Sequence, residues 1–148
     1  ISSGSLSGAT AASGGSGATS ASTSTFASAT STSYGAANAG PLTVTAGAAG
    51  TVTLSAYLNT SILFSGTATS CKGKWQWRVV GGSWADVATE ISSGADASLY
   101  GDGYIDVAMS KTGLTNGVAY EFQLLMRINS GTGNPLYFFY GTASAVAS

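Results

Sequence analysis

Val118-Ala119-Tyr120-Glu121-Phe122-Gln123-Leu124-Leu125-Met126-Arg127-Ile128 is the stretch whose reading decides the fold. In an extended chain successive side chains point to opposite faces, so Val118, Tyr120, Phe122, Leu124, Met126 and Ile128 share one side. Ala119, Glu121, Gln123 and Arg127 share the other, and only Leu125 breaks the alternation. An apolar face of that length has to lie against a second layer, because a lone sheet leaves it in water. The stretch therefore predicts the central strand of a two-layer β structure.

Working outward, Lys74 to Val80 gives a second strong strand, with Trp75, Trp77 and Val79 opposite Lys74, Gln76 and Arg78. Two tryptophans on one side predict a core anchor, joined by Tyr120 and Phe122. Gly81-Gly82 supplies the permissive backbone of a hairpin turn, after which Ser83 to Ala88 returns with Trp84 and Val87. Upstream, Leu42 to Thr45 reads as an edge strand after Pro41. Thr51 to Tyr57 alternates cleanly, and Ile62 to Phe64 gives a short third run. Downstream of a long loop over Glu90 to Gly103, closed by an Asp102-Gly103 turn, Tyr104 to Met109 alternates again. Leu114 to Gly117 is a tight connection, Asn129 to Asn134 a glycine-rich turn, and Leu136 to Val146 the last strand.

Residues 1–40 are different in kind. Thirty-five of them are Gly, Ala, Ser or Thr and none is charged, so the segment buries too little apolar surface to order itself. It reads as an extended arm, residues 1–40, ahead of a sandwich over residues 41–148. A neighbouring subunit is the expected source of its order, with its own sandwich as the alternative, and Leu6, Phe26 and Tyr34 are the natural anchors.

Composition limits function more than it specifies it. Charged residues make up 7% of the chain, against about 25% in ordinary domains, and the net charge of -1 offers no phosphate-binding surface, so no nucleic-acid partner is expected. No apolar run approaches the roughly 20 residues of a membrane helix, and no membrane insertion is expected. Ile1-Ser2-Ser3-Gly4 carries no basic residue followed by an apolar block, so it does not read as a leader. There is no histidine, which removes the commonest general base and metal ligand, and Cys71, alone, reads as a structural thiol.

The acids Asp86, Glu90, Asp96, Asp102 and Asp106 gather in or beside the long loop. Paired carboxylates serve glycoside hydrolysis or calcium binding, but the alternating Asp/Asn ligands of a calcium loop are missing. They read as solvated turn acids, and neither a catalytic residue, a metal nor a cofactor is expected. Asn59-Thr60-Ser61 matches the N-glycosylation sequon. In Tyr137-Phe138-Phe139-Tyr140 consecutive rings point to opposite faces, so some must meet another surface: an intersubunit contact, or else a glycan-stacking platform.

The run Thr112 to Gln123 resembles the E-to-F corner and F strand of fibronectin type III domains, where a leucine precedes a strand tyrosine by six residues, as Leu114 precedes Tyr120. In that family the tyrosine hydroxyl bonds back to the loop. Lys74 to Val87 likewise looks like the family's C and C′ strands. The resemblance implies an all-β, seven-strand immunoglobulin/fibronectin III-like sandwich over about residues 41 to 147, and no Arg-Gly-Asp tripeptide supports an integrin role. The Trp strand, Gly-Gly turn and second Trp also look like modules of bacteriophage tail fibres, tail tips and capsid decorations. The expectation is a non-enzymatic structural subunit of a virion or other extracellular assembly, its arm lacing subunits together. A pilus-like filament subunit joined by strand donation and a carbohydrate- or receptor-binding module are the alternatives.

Overall fold

The computed structural model describes residues 17–29, 31–38, 40–63, 66–68, 71–92, 102–128, 131–133 and 136–148. Strands follow one another as β1 (Ser20–Thr23), β2 (Gly35–Ala36), β3 (Leu42–Thr45), β4 (Val52–Leu63), β5 (Gly66–Ala68), β6 (Cys71–Val79), β7 (Ala85–Asp86), β8 (Ile91–Ser92), β9 (Asp102–Asp106), β10 (Met109–Lys111), β11 (Ala119–Ile128), β12 (Gly131–Gly133) and β13 (Leu136–Ala147). The described residues contain no helix, and every strand pair is antiparallel.

Two sheets result. The first runs β1-β13-β4-β10, with β9 also on β4; the second runs β2-β11-β6-β7, with β3 on β11 and β8 on β6. The chain passes between them through β5 and again through β12, and these two crossings pair with each other.

The interior is built by alternation. On β4 Val52, Leu54, Ala56 and Leu58 are buried; on β11 Tyr120, Phe122, Leu124, Met126 and Ile128 are buried against them. Cys71 and Trp75 of β6, Ile105, Val107 and Met109, and Phe139, Ala143 and Ala145 of β13 complete the layer. Fully burying a large apolar side chain stabilises by about 1.5–3 kcal/mol, so this interior dominates the fold's stability. Trp75 also ties the sheets directly, its Nε1 donating to the Val107 carbonyl at 2.8 Å.

Trp77 lies at the rim of this core, half-buried, its ring tilted against Tyr120 with Lys111 Nζ 4.2 Å from its centroid. The bond from the tyrosine hydroxyl back to the loop, which the resemblance implies, is present. Leu114 and Tyr120 are both buried, and the Thr115 N–H donates to the Tyr120 hydroxyl at 3.0 Å. Tyr120→Phe is expected to cost about 1 kcal/mol, the worth of one hydrogen bond, measured by chemical denaturation; a neutral substitution would dissociate the corner from stability.

Several local expectations change. β4 runs unbroken through Asn59-Thr60-Ser61 where two strands and a gap were expected, because β13 pairs along its whole length. Asp102-Gly103 is not a turn but the start of β9, drawn into the ladder by Ser61 and Thr60. The expected strand from Tyr104 to Met109 is two pieces, β9 and β10. The long loop contains β8, pinned to Lys72 and Gly73.

The arm changes most. Residues 1–16, with Leu6, lie outside the described residues, but the described residues between 17 and 38 include several that find partners within the chain. β1 pairs with Ala143 to Val146, β2 with Leu125 and Met126, and Phe26 bridges to Asn38. Asn38 is itself buried, its Oδ1 accepting from the Leu124 N–H at 2.8 Å. Main-chain bonds to its own sheets therefore order this part of the arm, which the sequence reading assigns first to a neighbour.

Candidate functional site

The two outer faces of the sandwich have opposite chemistry. On the second sheet Lys72, Lys74, Gln76 and Arg78 of β6 stand beside Arg127, Leu125, Gln123 and Glu121 of β11 in direct cross-strand register. Four of the chain's five basic residues are here. Each is matched. Arg78 donates to Glu121 from both Nη2 (2.6 Å) and Nε (3.0 Å), and Lys74 and Gln76 hold the two oxygens of Asp86 at 2.9 and 2.8 Å. Gln123 donates to Gln76 at 2.9 Å, and the Arg78 guanidinium lies 4.3 Å from the Trp84 ring centroid. This face spends its polar groups on itself.

Its densest point gathers around Glu90. Lys72 reaches Oε1 at 2.7 Å, Arg127 spans both oxygens at 3.1 and 3.2 Å, and the Tyr34 hydroxyl donates to Oε2. The Tyr34 ring lies 4.6 Å from Lys74 Nζ and 5.2 Å from the Arg127 guanidinium. Tyr34 thus clamps the segment carrying β2 onto β6 and β11. The Lys72 hydrogen bond first, then those from Tyr34 and Arg127, lower the Glu90 pKa from 4.5 to about 2; burial first, then the bond to Glu90, pushes Tyr34 from 10.0 up to about 12.

The signs follow from linkage. Glu90's folded pKa lies below its unfolded value, so its contribution is complete above about pH 4.5 and fades as pH falls toward 2. Tyr34's lies above, so its contribution is complete below about pH 10 and is lost as pH rises through 12. Denaturant titrations from roughly pH 6 down to pH 2 should show Glu90→Gln weakening the protein at pH 6 and flattening the acid limb. An acid limb unchanged by the substitution would contradict the clamp.

The first sheet's outer face is nearly without charge. Along β13 and β4 the outward pairs are Val146 with Thr53, Ser144 with Ser55, Thr142 with Tyr57 and Tyr140 with Asn59. Ser20 and Ser22 of β1 extend it on one side, Ser110 of β10 and Asp106 of β9 on the other. Asp106 is the lone charge on it among described side chains. Tyr57 (54% exposed), Tyr140 (57%) and Val146 (48%) stand out from a hydroxyl-rich plane, the two tyrosines diagonal to each other across the strand pair.

The candidate residues are accordingly dispersed. Asp86 and Glu90 are ion-paired on one outer face, Asp106 lies on the other, and Asp96 falls outside the described residues. Among the described residues no group of three or more His, Cys, Asp or Glu stands in metal-binding array. Phe26 packs against the core and Tyr34 clamps to Glu90, so both anchor the arm to its own chain. Of the aromatic run, Phe139 is buried and Tyr140 exposed; the side chains of Tyr137 and Phe138 lie outside the described set. Tyr57, which the sequence reading did not single out, could have been found from the parity that it shares with Thr51, Thr53 and Ser55. A cleft of about 100 Å³ among the described residues, lined by Ala27, Ala29, Ser31, Ser33, Gly35 and Met126 with their small neighbours, brings no reactive groups together. Comparison with protein-family models, with curated proteins and with solved structures finds no match to this chain.

Proposed function

We propose that this chain is a non-enzymatic structural subunit of an extracellular or virion assembly, and that copies meet through the outer face of the first sheet. The observation that carries the reading is the division of polarity. One face closes its charges into internal pairs, while the other presents Tyr57, Tyr140 and Val146 on an almost uncharged plane. Depletion of charge with exposed aromatics is the composition of the centre of a protein interface.

The fibronectin type III-like reading of the sandwich is supported by the Leu114–Tyr120 corner and by the β6–β7 hairpin around Gly81-Gly82. The chain varies that frame. Its last strand, β13, pairs with β4 and its β3 with β11, whereas the immunoglobulin-type pattern sets the last strand beside the corner strand. A second reading, a binding module for neutral glycans, draws on the same tyrosines flanked by Asn59 and Asp106.

The test is Tyr57→Lys with Tyr140→Lys in one chain. Both side chains point outward, so the circular dichroism spectrum should be unchanged while self-association weakens at least tenfold, because like charges then face each other across the contact. Unaltered association would remove this face from the assembly. Loss of glycan affinity from a chain that never associates would favour the second reading.

A further inference from the structure

The edge of β13 is only partly covered. β1 pairs with Ala143 to Val146 and then leaves: Thr25 turns back on the Thr23 hydroxyl, Phe26 bridges to Asn38, and Ser31 and Ala37 bond to β11 of the second sheet. Among the described residues nothing pairs with that side of β13 between Leu136 and Thr142. The Ala147 N–H points to β1, meeting Thr19 O, and the Ser148 N–H to the β4 side, meeting Thr51 O. By the alternation of an antiparallel ladder, the backbone groups of Tyr137, Phe139 and Gly141 face the open side. A row of such groups is a template for one more strand.

The chain itself shows what this edge accepts. β1 is Ser-Ala-Ser-Thr, a strand with almost no side-chain bulk, held by its backbone. Residues 1–16 have the same character: uncharged, free of proline, and small except for Ile1 and Leu6. Direction then selects whose segment it is. The described chain enters beside Ser148, where Ala18 neighbours Gly47, and β1 runs from Val146 toward Ala143. The open stretch lies beyond β1's far end, so a chain's own residues 1–16 would have to double back past β1 to reach it. A second copy's segment, which can span roughly 50 Å when extended, has no such obstacle.

We propose that residues 1–16 of a second copy add as a strand along Leu136 to Thr142 of β13. The proposal rests on the assembly reading above and gives it a direction. The contact is head-to-tail, so it repeats into a ring or an open fibre, and its affinity comes from main-chain bonds.

The test uses the full chain and a variant carrying Ser3→Pro, Ser7→Pro and Ala11→Pro, changes that remove ladder donors outside every described contact. Hydrogen exchange is followed at the Phe139 and Gly141 amides as concentration is raised. Wild type should gain at least tenfold protection there on assembly, the proline variant should not, and a peptide of residues 1–16 should restore protection to the variant. Assembly of both proteins with no gain at these amides would overturn strand addition and leave the face-to-face reading standing. A wild-type chain that stays monomeric throughout would overturn both.

Discussion

Trp75→Ala is expected to lower the unfolding free energy by about 3–5 kcal/mol, the range for truncating a large, fully buried aromatic. The side chain is 0% exposed and sits on β6, one ladder away from β11. Its loss empties the space between the sheets and also strands the Val107 carbonyl, which now accepts the indole N–H; a buried acceptor without its donor adds to the penalty. Trp77→Ala serves as the internal control. That ring is half-buried at the rim, against Tyr120 and under Lys111, so its truncation should cost roughly 1–2 kcal/mol. Chemical denaturation of both variants checks the assignment, and equal losses would mean that the core is centred elsewhere.

Gly141→Ala should be nearly as damaging, at about 3 kcal/mol or more, although it adds a single methyl group. Gly141 has φ of +147° in the middle of the β4–β13 ladder, a region where other residues cost about 1–3 kcal/mol. A Cβ there would also run into the Tyr57 carbonyl oxygen on β4, which is backbone and cannot swing aside. Gly117→Ala separates the two causes: its φ is +81° but a Cβ meets nothing within 4 Å, so only the conformational penalty of about 1 kcal/mol applies. Thermal or denaturant unfolding should rank the variants in that order.

What was legible in the sequence was whatever side-chain alternation encodes. β11, β6, β3 and β13 could be placed because burial on one face forces a period of two, and the resemblance at Leu114 and Tyr120 implied the bond that the Tyr120 hydroxyl accepts from the Thr115 N–H. Alternation gives the side but not the depth, which is why Trp75 and Trp77 read alike although one is central and the other marginal. Local turn chemistry misled at Asp102-Gly103, where pairing with β4 outweighs the preference of Asp-Gly for turns. The pairing of β1 and β2 was illegible for a plainer reason. Ser, Ala and Gly carry almost no code for a partner, and those strands are held by backbone groups that every residue has.

The same reasoning explains the uneven legibility of the outer faces. The shared parity of Thr53, Ser55 and Tyr57 is the signal from which Tyr57 could have been placed outward. The clamp of Glu90 by Tyr34, Lys72 and Arg127, by contrast, joins residues as far apart in sequence as Tyr34 and Arg127, and no local spacing announces it.

Sedimentation equilibrium of the full chain over a wide concentration range tests the central claim most directly. A structural subunit should show an average mass that climbs with concentration to multiples of 14.6 kDa. A mass that stays at 14.6 kDa throughout, with uncharged polysaccharide binding at the Tyr57 and Tyr140 face, would contradict it.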